Sequence, residues 1–145
     1  KYGYDTSIQG NGGKSTINPI IFRYADAYLS LAEALYLKNG STAADKEKAR
    51  SLINTIRSRA GLAEFPASAI DAQNKFVECL LKERSHEFWC ENGQYRADLI
   101  RFDKFVSHAE TVKGTSYANK NKELYPLPLS AITDGKGLVL NNPGY

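Results

Sequence analysis

Ala49-Arg50-Ser51-Leu52-Ile53-Asn54-Thr55-Ile56-Arg57-Ser58-Arg59-Ala60-Gly61-Leu62 is the stretch whose reading decides the fold. Ala49, Leu52, Ile53, Ile56 and Ala60 recur at three- and four-residue intervals, which places them on one stripe of a helix. Gly61 ends that helix, because a residue without a Cβ enters the left-handed conformation at little cost. Leu62 is then positioned to fold back on Ile56, as a Schellman motif favours. Upstream, Ser41 or Thr42 is a good N-cap, and Asp45 in the first turn suits the positive end of the helix dipole.

A helix with one apolar stripe needs a partner, and the preceding residues supply one. The spacing predicts a first helix over 20–39, with Tyr24, Tyr28, Leu31 and Leu35 at helical intervals. Ala25 and Ala32, like Ala27 and Ala34, are small positions where a second helix can approach closely. Lys38 falls in the last turn and Gly40 is expected in the left-handed cap position. So short a connection makes the two helices antiparallel neighbours. Residues 1–19, with Gly10, Gly12 and Gly13, read as a lead-in loop.

Downstream, Phe65-Pro66 opens a new segment, and Ser68 with Asp71 resembles a capping box. A third helix is expected to run to about residue 91, with Phe76, Val77, Leu80, Leu81 and Phe88 inward, until Gly93 breaks it. A fourth covers 97–107, with Leu99, Ile100, Phe102 and Phe105 apolar. After residue 110 helical periodicity stops. Tyr125-Pro126-Leu127-Pro128 must be extended, since each proline fixes its own φ and restricts its predecessor. Asp134-Gly135 and Asn142-Pro143-Gly144 are turn signals. A tail this rich in Leu, Tyr and Pro is expected to lie across the helices and bury its apolar side chains. The predicted fold is therefore all-α: antiparallel, tetratricopeptide-like helix pairs with a long irregular C-terminal tail packed on them. No second copy of the first pair is visible, so any repeat is one unit of a series lying upstream.

Composition narrows the function. The 145 residues suit one compact domain. Hydrophobic residues make up 42% and charged residues 24%, ordinary values for a globular chain. A net charge of only +3, with both signs interspersed, argues against nucleic-acid binding, which gathers basic residues on one face. The longest apolar runs fall far short of a membrane span. The chain has no Met and no visible leader, so it is expected to be a piece of a larger protein. Nine Tyr, six Phe and one Trp suit either a ring-stacking ligand surface or a core with hydroxyls at its margin. Cys79 and Cys90 are both expected in the third helix. Eleven residues of helix span about 16 Å, beyond the roughly 7 Å Cα separation a disulfide tolerates.

Four groupings could carry chemistry. His86 and Cys90 would share a helix face with His108 as a third metal ligand, but a zinc-protease helix needs His where Cys90 stands, and no metal site is assigned. Glu83, Glu87 and Glu91 follow at four-residue intervals and could do glycosidic acid/base work. Lys82, Arg84, Arg96 and Arg101 lie close by in sequence, however, and arginine neighbours keep carboxylates ionised. The favoured reading is an ion-pair network built from Arg57, Glu83, Arg84, Glu87, Asp98 and Arg101, with Arg59, Arg96 and Asp103 also available. Gly10 to Ser15 ends in Gly-Lys-Ser but lacks the earlier glycine and the strand of a phosphate loop. Trp89 and Tyr95, near a helix break, are the ligand-stacking candidates. Burial of Trp89 between helix and tail is the favoured reading. No catalytic residue and no cofactor are assigned.

Several strings, taken in order, resemble one family. They are Arg23-Tyr24-Ala25-Asp26 with Ala32-Glu33-Ala34, then 53–62, Glu83-Arg84 with Glu87-Phe88, and Asp98-Leu99-Ile100-Arg101-Phe102. Leu124-Tyr125-Pro126-Leu127-Pro128 and the terminal Asn142-Pro143-Gly144-Tyr145 complete the series. Over residues 20–145 they resemble the C-terminal part of the SusD/RagB family, the outer-membrane nutrient-binding lipoproteins of Bacteroidetes. Three departures stand out: Asn92 comes between Glu91 and Gly93 where the family has Glu-Gly, Tyr95 occupies a position the family gives to Arg, and Asn141 replaces a Gln. The resemblance implies a non-catalytic, tetratricopeptide-like helical protein for polysaccharide utilisation. It implies a lipid anchor that this chain does not contain, an oligosaccharide or other nutrient ligand, and a SusC-like TonB-dependent transporter as partner at the cell surface. It transfers no ligand residue, because the family's sugar-binding aromatics lie mostly upstream of these strings.

Three functions are thus in play: a cell-surface glycan-binding segment, a helical-repeat scaffold for protein–protein interaction, and an enzyme using His86 or the Glu83 series. The first is expected.

Overall fold

The computed structural model describes residues 20–91, 93–115 and 118–145. The lead-in loop, with its Gly-Lys-Ser string, lies outside them. Among the described residues six α-helices follow in order: α1 Tyr24–Leu37, α2 Ala43–Arg59, α3 Gln73–Glu87, α4 Gln94–Arg101, α5 Phe105–Lys113 and α6 Leu129–Asp134. No strand occurs among the described residues, and no described helix is long and apolar enough to cross a membrane. The chain divides into two compact units, Lys1–Asn92 and Gly93–Tyr145.

In the first unit α1 and α2 form a hairpin, and α3 packs against both. Of the decisive stretch, Ala49, Leu52, Ile53 and Ile56 are buried as expected, whereas Ala60 and Leu62 are exposed. Thr42 caps α2 in a reciprocal capping box: Asp45 N–H donates to Thr42 Oγ1 at 3.2 Å, and Thr42 N–H donates to Asp45 Oδ2 at 2.9 Å. At the other end Gly61 adopts φ +72°. Its N–H reaches Ser58 O at 3.0 Å and the Leu62 N–H reaches Arg57 O at 2.9 Å, both bonds of a Schellman motif.

The core is Leu29 from α1, Ile53 from α2, and Phe76 and Leu80 from α3, all fully buried. Each such side chain contributes roughly 1.5–3 kcal/mol. Tyr36 stacks on Phe76 with ring centroids 3.8 Å apart, and its hydroxyl donates to Ile70 O at 2.6 Å. The stripe of α1 is displaced from the expected one. Ala25, Leu29, Ala32 and Tyr36 face inward, whereas Tyr24 is 78% exposed and Leu31 is also exposed. Small Ala25 and Ala32 let the hairpin close, and the bulkier stripe faces away from this core.

Two boundaries also move. Ser68 and Asp71 belong to a separate 3-10 turn, Ala67–Ile70, and to its cap, while α3 starts from Ala72. That helix ends at Glu87, and Cys90 lies beyond it with φ +60°. The two cysteines are therefore not on one helix. Both are free.

In the second unit the expected single helix over 97–107 is two, α4 and α5, with Asp103 at φ +54° between them. Asp103 N–H donates to Ile100 O at 3.0 Å and Lys104 N–H to Leu99 O at 2.7 Å, a second Schellman pattern with Asp in the glycine position. The tail is not wholly irregular: it carries a 3-10 turn, Lys120–Glu123, and the short helix α6. Nor does it bury its apolar side chains. Leu124, Tyr125, Leu129 and Leu140 are exposed, and Leu138 is 92% exposed.

Hydrogen bonds between the tail's own ends shape it instead. Asn142 Nδ2 donates to Tyr125 O at 2.6 Å, and Leu127 N–H donates to Asn141 Oδ1 at 2.8 Å. Tyr145 donates to Leu124 O at 3.1 Å, and Lys122 Nζ to Gly144 O at 2.7 Å. The Leu-Tyr-Pro-Leu-Pro string and the terminal Asn-Pro-Gly-Tyr string are thus two halves of one clasp.

Candidate functional site

Two carboxylates of α3, Glu83 and Glu87, are held by arginines from its neighbours. Glu83 accepts from Arg57 of α2 at 2.9 Å, with the two side chains 3% and 12% exposed. Arg57 also donates to Ala63 O at 2.7 Å and lies 3.9 Å from the centroid of Phe65. Glu87 receives Arg59 from α2 and Arg23 from the residue preceding α1. Arg23 Nε donates to buried Glu91 at 2.9 Å. In the reverse direction Arg84 of α3 donates to Asp26 of α1 at 2.9 Å. The guanidinium carbons of Arg23 and Arg84 lie 5.0 and 5.2 Å from the buried Phe88 ring, adding cation–π attraction.

The electrostatics follow from this geometry. Burial works to raise the Glu87 pKa, but hydrogen bonds from Arg59 and Arg23 outweigh it and hold the carboxyl below its ordinary value. Burial likewise works to lower Arg23, and its bonds to Glu91 and Glu87 raise it above the usual range. A carboxylate held ionised cannot donate the proton a glycosidic general acid must supply.

Arg57, Glu83, Arg84 and Glu87 thus meet at the packing of α1, α2 and α3. Asp98 and Arg101 form a pair along α4, three residues apart, at 2.8 Å. Asp103 faces Lys120, at 3.7 Å and well exposed, a pairing of little worth. Reading the sequence missed Arg23 and Asp26. Their signal was present in the Arg23-Tyr24-Ala25-Asp26 string, where both residues fall in the turn that faces α3.

His86 lies on the exposed side of α3, and the face it was expected to share with Cys90 does not exist. No group of His, Cys, Asp and Glu suited to a metal occurs among the described residues. Trp89 is 72% exposed, not buried in a helix–tail core. Tyr95 is half-buried on α4, and its hydroxyl lies 3.4 Å from His108 Nδ1. Burial raises the Tyr95 pKa. Arg96, expected to pair with a carboxylate, instead donates to the carbonyls of Lys122 and Glu123 at 2.8 and 2.9 Å. Its guanidinium carbon sits 4.0 Å from the Tyr125 ring centroid and 5.2 Å from that of Phe105. A cavity of about 510 Å³ opens beside these residues.

Comparison with known proteins places the chain. A sequence model described as the SusD family matches residues 1–145. Starch-binding protein SusD of Bacteroides thetaiotaomicron is 30% identical over 132 residues, covering 86% of this chain and 21% of that protein. SusD-like protein P2 of Formosa agariphila is 27% identical over 151 residues, covering 99% of this chain and 29% of that protein. Among solved structures, surface glycan-binding protein A from Bacteroides thetaiotaomicron superposes with a TM-score of 0.60 at 28% identity. That match covers 85% of this chain and 24% of the solved one. The chain therefore spans between a fifth and a third of the length of the relatives it matches.

Proposed function

The chain belongs to the SusD family, and from that premise we propose that it is the C-terminal helical portion of a cell-surface glycan-binding lipoprotein. The intact protein captures oligosaccharide at the outer membrane and passes it to a TonB-dependent, SusC-like transporter. A lipid anchor outside these residues holds it at the surface.

The observation that carries the reading is the commitment of the carboxylates on and just beyond the last turns of α3 to arginines. Glu83, Glu87 and Glu91 each face a guanidinium from another part of the first unit. They lock helices together. The segment's task is to hold a shape, and the apolar side chains left outward on α1 and the tail offer surfaces for the rest of the protein.

The test is binding without turnover. The intact protein, titrated with starch-type and other oligosaccharides, should bind at least one class and release it unchanged. Co-purification with a β-barrel transporter from outer membranes should accompany it. Cleavage of the ligand would contradict the reading.

A further inference from the structure

We propose that the cavity between α4, α5 and the 3-10 turn Lys120–Glu123 is a subsite for an acidic sugar, a pyranose bearing a carboxylate. The proposal rests on the glycan-binding reading and adds to it both a place in the second unit and a charge for the ligand.

The cavity has the size of a small-ligand site, about 510 Å³. Its apolar wall is Leu99 and Phe105, and its polar lining includes Tyr95, His108, Lys113 and Lys122. Arg96 also lines it. None of the described residues that line it carries a carboxylate. That sets it apart from the first unit, where Arg23, Arg57, Arg59 and Arg84 each face Asp or Glu.

Two of the cations here are held in place by neutral acceptors. Arg96 is fixed by two backbone carbonyls, and Lys122 Nζ by Gly144 O. Neutral acceptors satisfy geometry and leave the charge. Lys113, in the last turn of α5, has no ion-pair partner among the described residues. Three cations with no ion-pair partner among the described residues line one concavity with apolar walls, an arrangement that concentrates positive potential there. A pyranose acid matches both features. Its C–H face suits Leu99 and Phe105, its hydroxyls suit Tyr95 and His108, and its carboxylate suits Lys113 and Lys122.

The test uses the intact protein and calorimetric titration with trigalacturonate, its methyl ester, maltotriose and inorganic phosphate. Trigalacturonate should bind, and esterification should weaken it by about tenfold, the worth of one charge-assisted hydrogen bond. Lys113→Gln, at an exposed helix end, should weaken the acid several-fold and weaken its methyl ester less. Equal binding of acid and ester, or no effect of Lys113→Gln, overturns the proposal. Phosphate competing as well as the sugar acid overturns the sugar assignment. Binding of maltotriose with none of trigalacturonate overturns this subsite but leaves glycan capture standing. Failure of every oligosaccharide to bind overturns both.

Discussion

Arg57 of α2 donates to Glu83 of α3 at 2.9 Å across the helix packing, with both side chains largely withdrawn from water. Two such charges are costly to desolvate singly, so the pair stands or falls together. Arg57→Ala should cost about 3–5 kcal/mol, the usual penalty for stranding a buried carboxylate. Urea unfolding gives the number directly. The double variant Arg57→Met, Glu83→Leu should recover most of the loss, and an unchanged midpoint in Arg57→Ala would show the pair to be idle.

Stability should fall in acid in two overlapping windows. Glu87 is held below the ordinary carboxyl value of 4.5 despite burial, chiefly by Arg59 and Arg23. Asp45 is lowered from 3.8 to about 2 by Lys38 and by the Thr42 backbone and hydroxyl. A depressed carboxyl contributes stability above its unfolded value and loses it as pH falls through the folded one. The Glu87 contribution should therefore start to fade below pH 4.5, and that of Asp45 between 3.8 and about 2. Melting temperatures from pH 7 to pH 2 test this, with Glu87→Gln flattening the upper part of the decline.

The left-handed position at Asp103 is a site of avoidable strain, since its φ is +54°. Asp103→Gly keeps the Schellman bonds and removes the Cβ penalty, so it should stabilise by about 0.5–1 kcal/mol. Gly61→Ala, at φ +72°, should destabilise by about 1 kcal/mol for the same reason. Paired denaturant curves would reveal both signs.

The tail clasp makes its own prediction. Asn142 Nδ2 donates to Tyr125 O at 2.6 Å. Asn142→Ala should open the loop between these residues and speed amide exchange at Leu127, whose N–H is held by neighbouring Asn141. Exchange rates at Leu127 equal to the parent's would mean that the clasp is held elsewhere.

Much of the first unit was legible because its signals are local. A capping box opens α2 and Gly61-Leu62 closes it, and each is a few residues long. The inward face of α3 was legible too, since its large apolar residues fall on one stripe. The face of α1 was not, because it carries two apolar stripes one residue apart and the small Ala25–Ala32 stripe is the one that admits α2. The break between α4 and α5 escaped because Asp103 occupies a position where glycine is the usual signal. The tail was expected to be buried on its apolar content, yet its internal clasp satisfies the backbone and leaves Leu138 and Leu140 outward. Of the charged groups, Glu83 and Glu87 could be read as structural from the arginines nearby. Their partners Arg23, Arg57 and Arg59 come from other elements, which only the three-dimensional packing assigns.

The central claim is that the α3 carboxylates hold helices together and break no bonds. Its most direct test incubates the intact protein and its Glu87→Gln variant with the bound oligosaccharide, followed by chromatography of the sugar. The account predicts intact oligosaccharide from both proteins and a lower melting temperature for the variant. Shorter products from the parent, absent with Glu87→Gln, would contradict it.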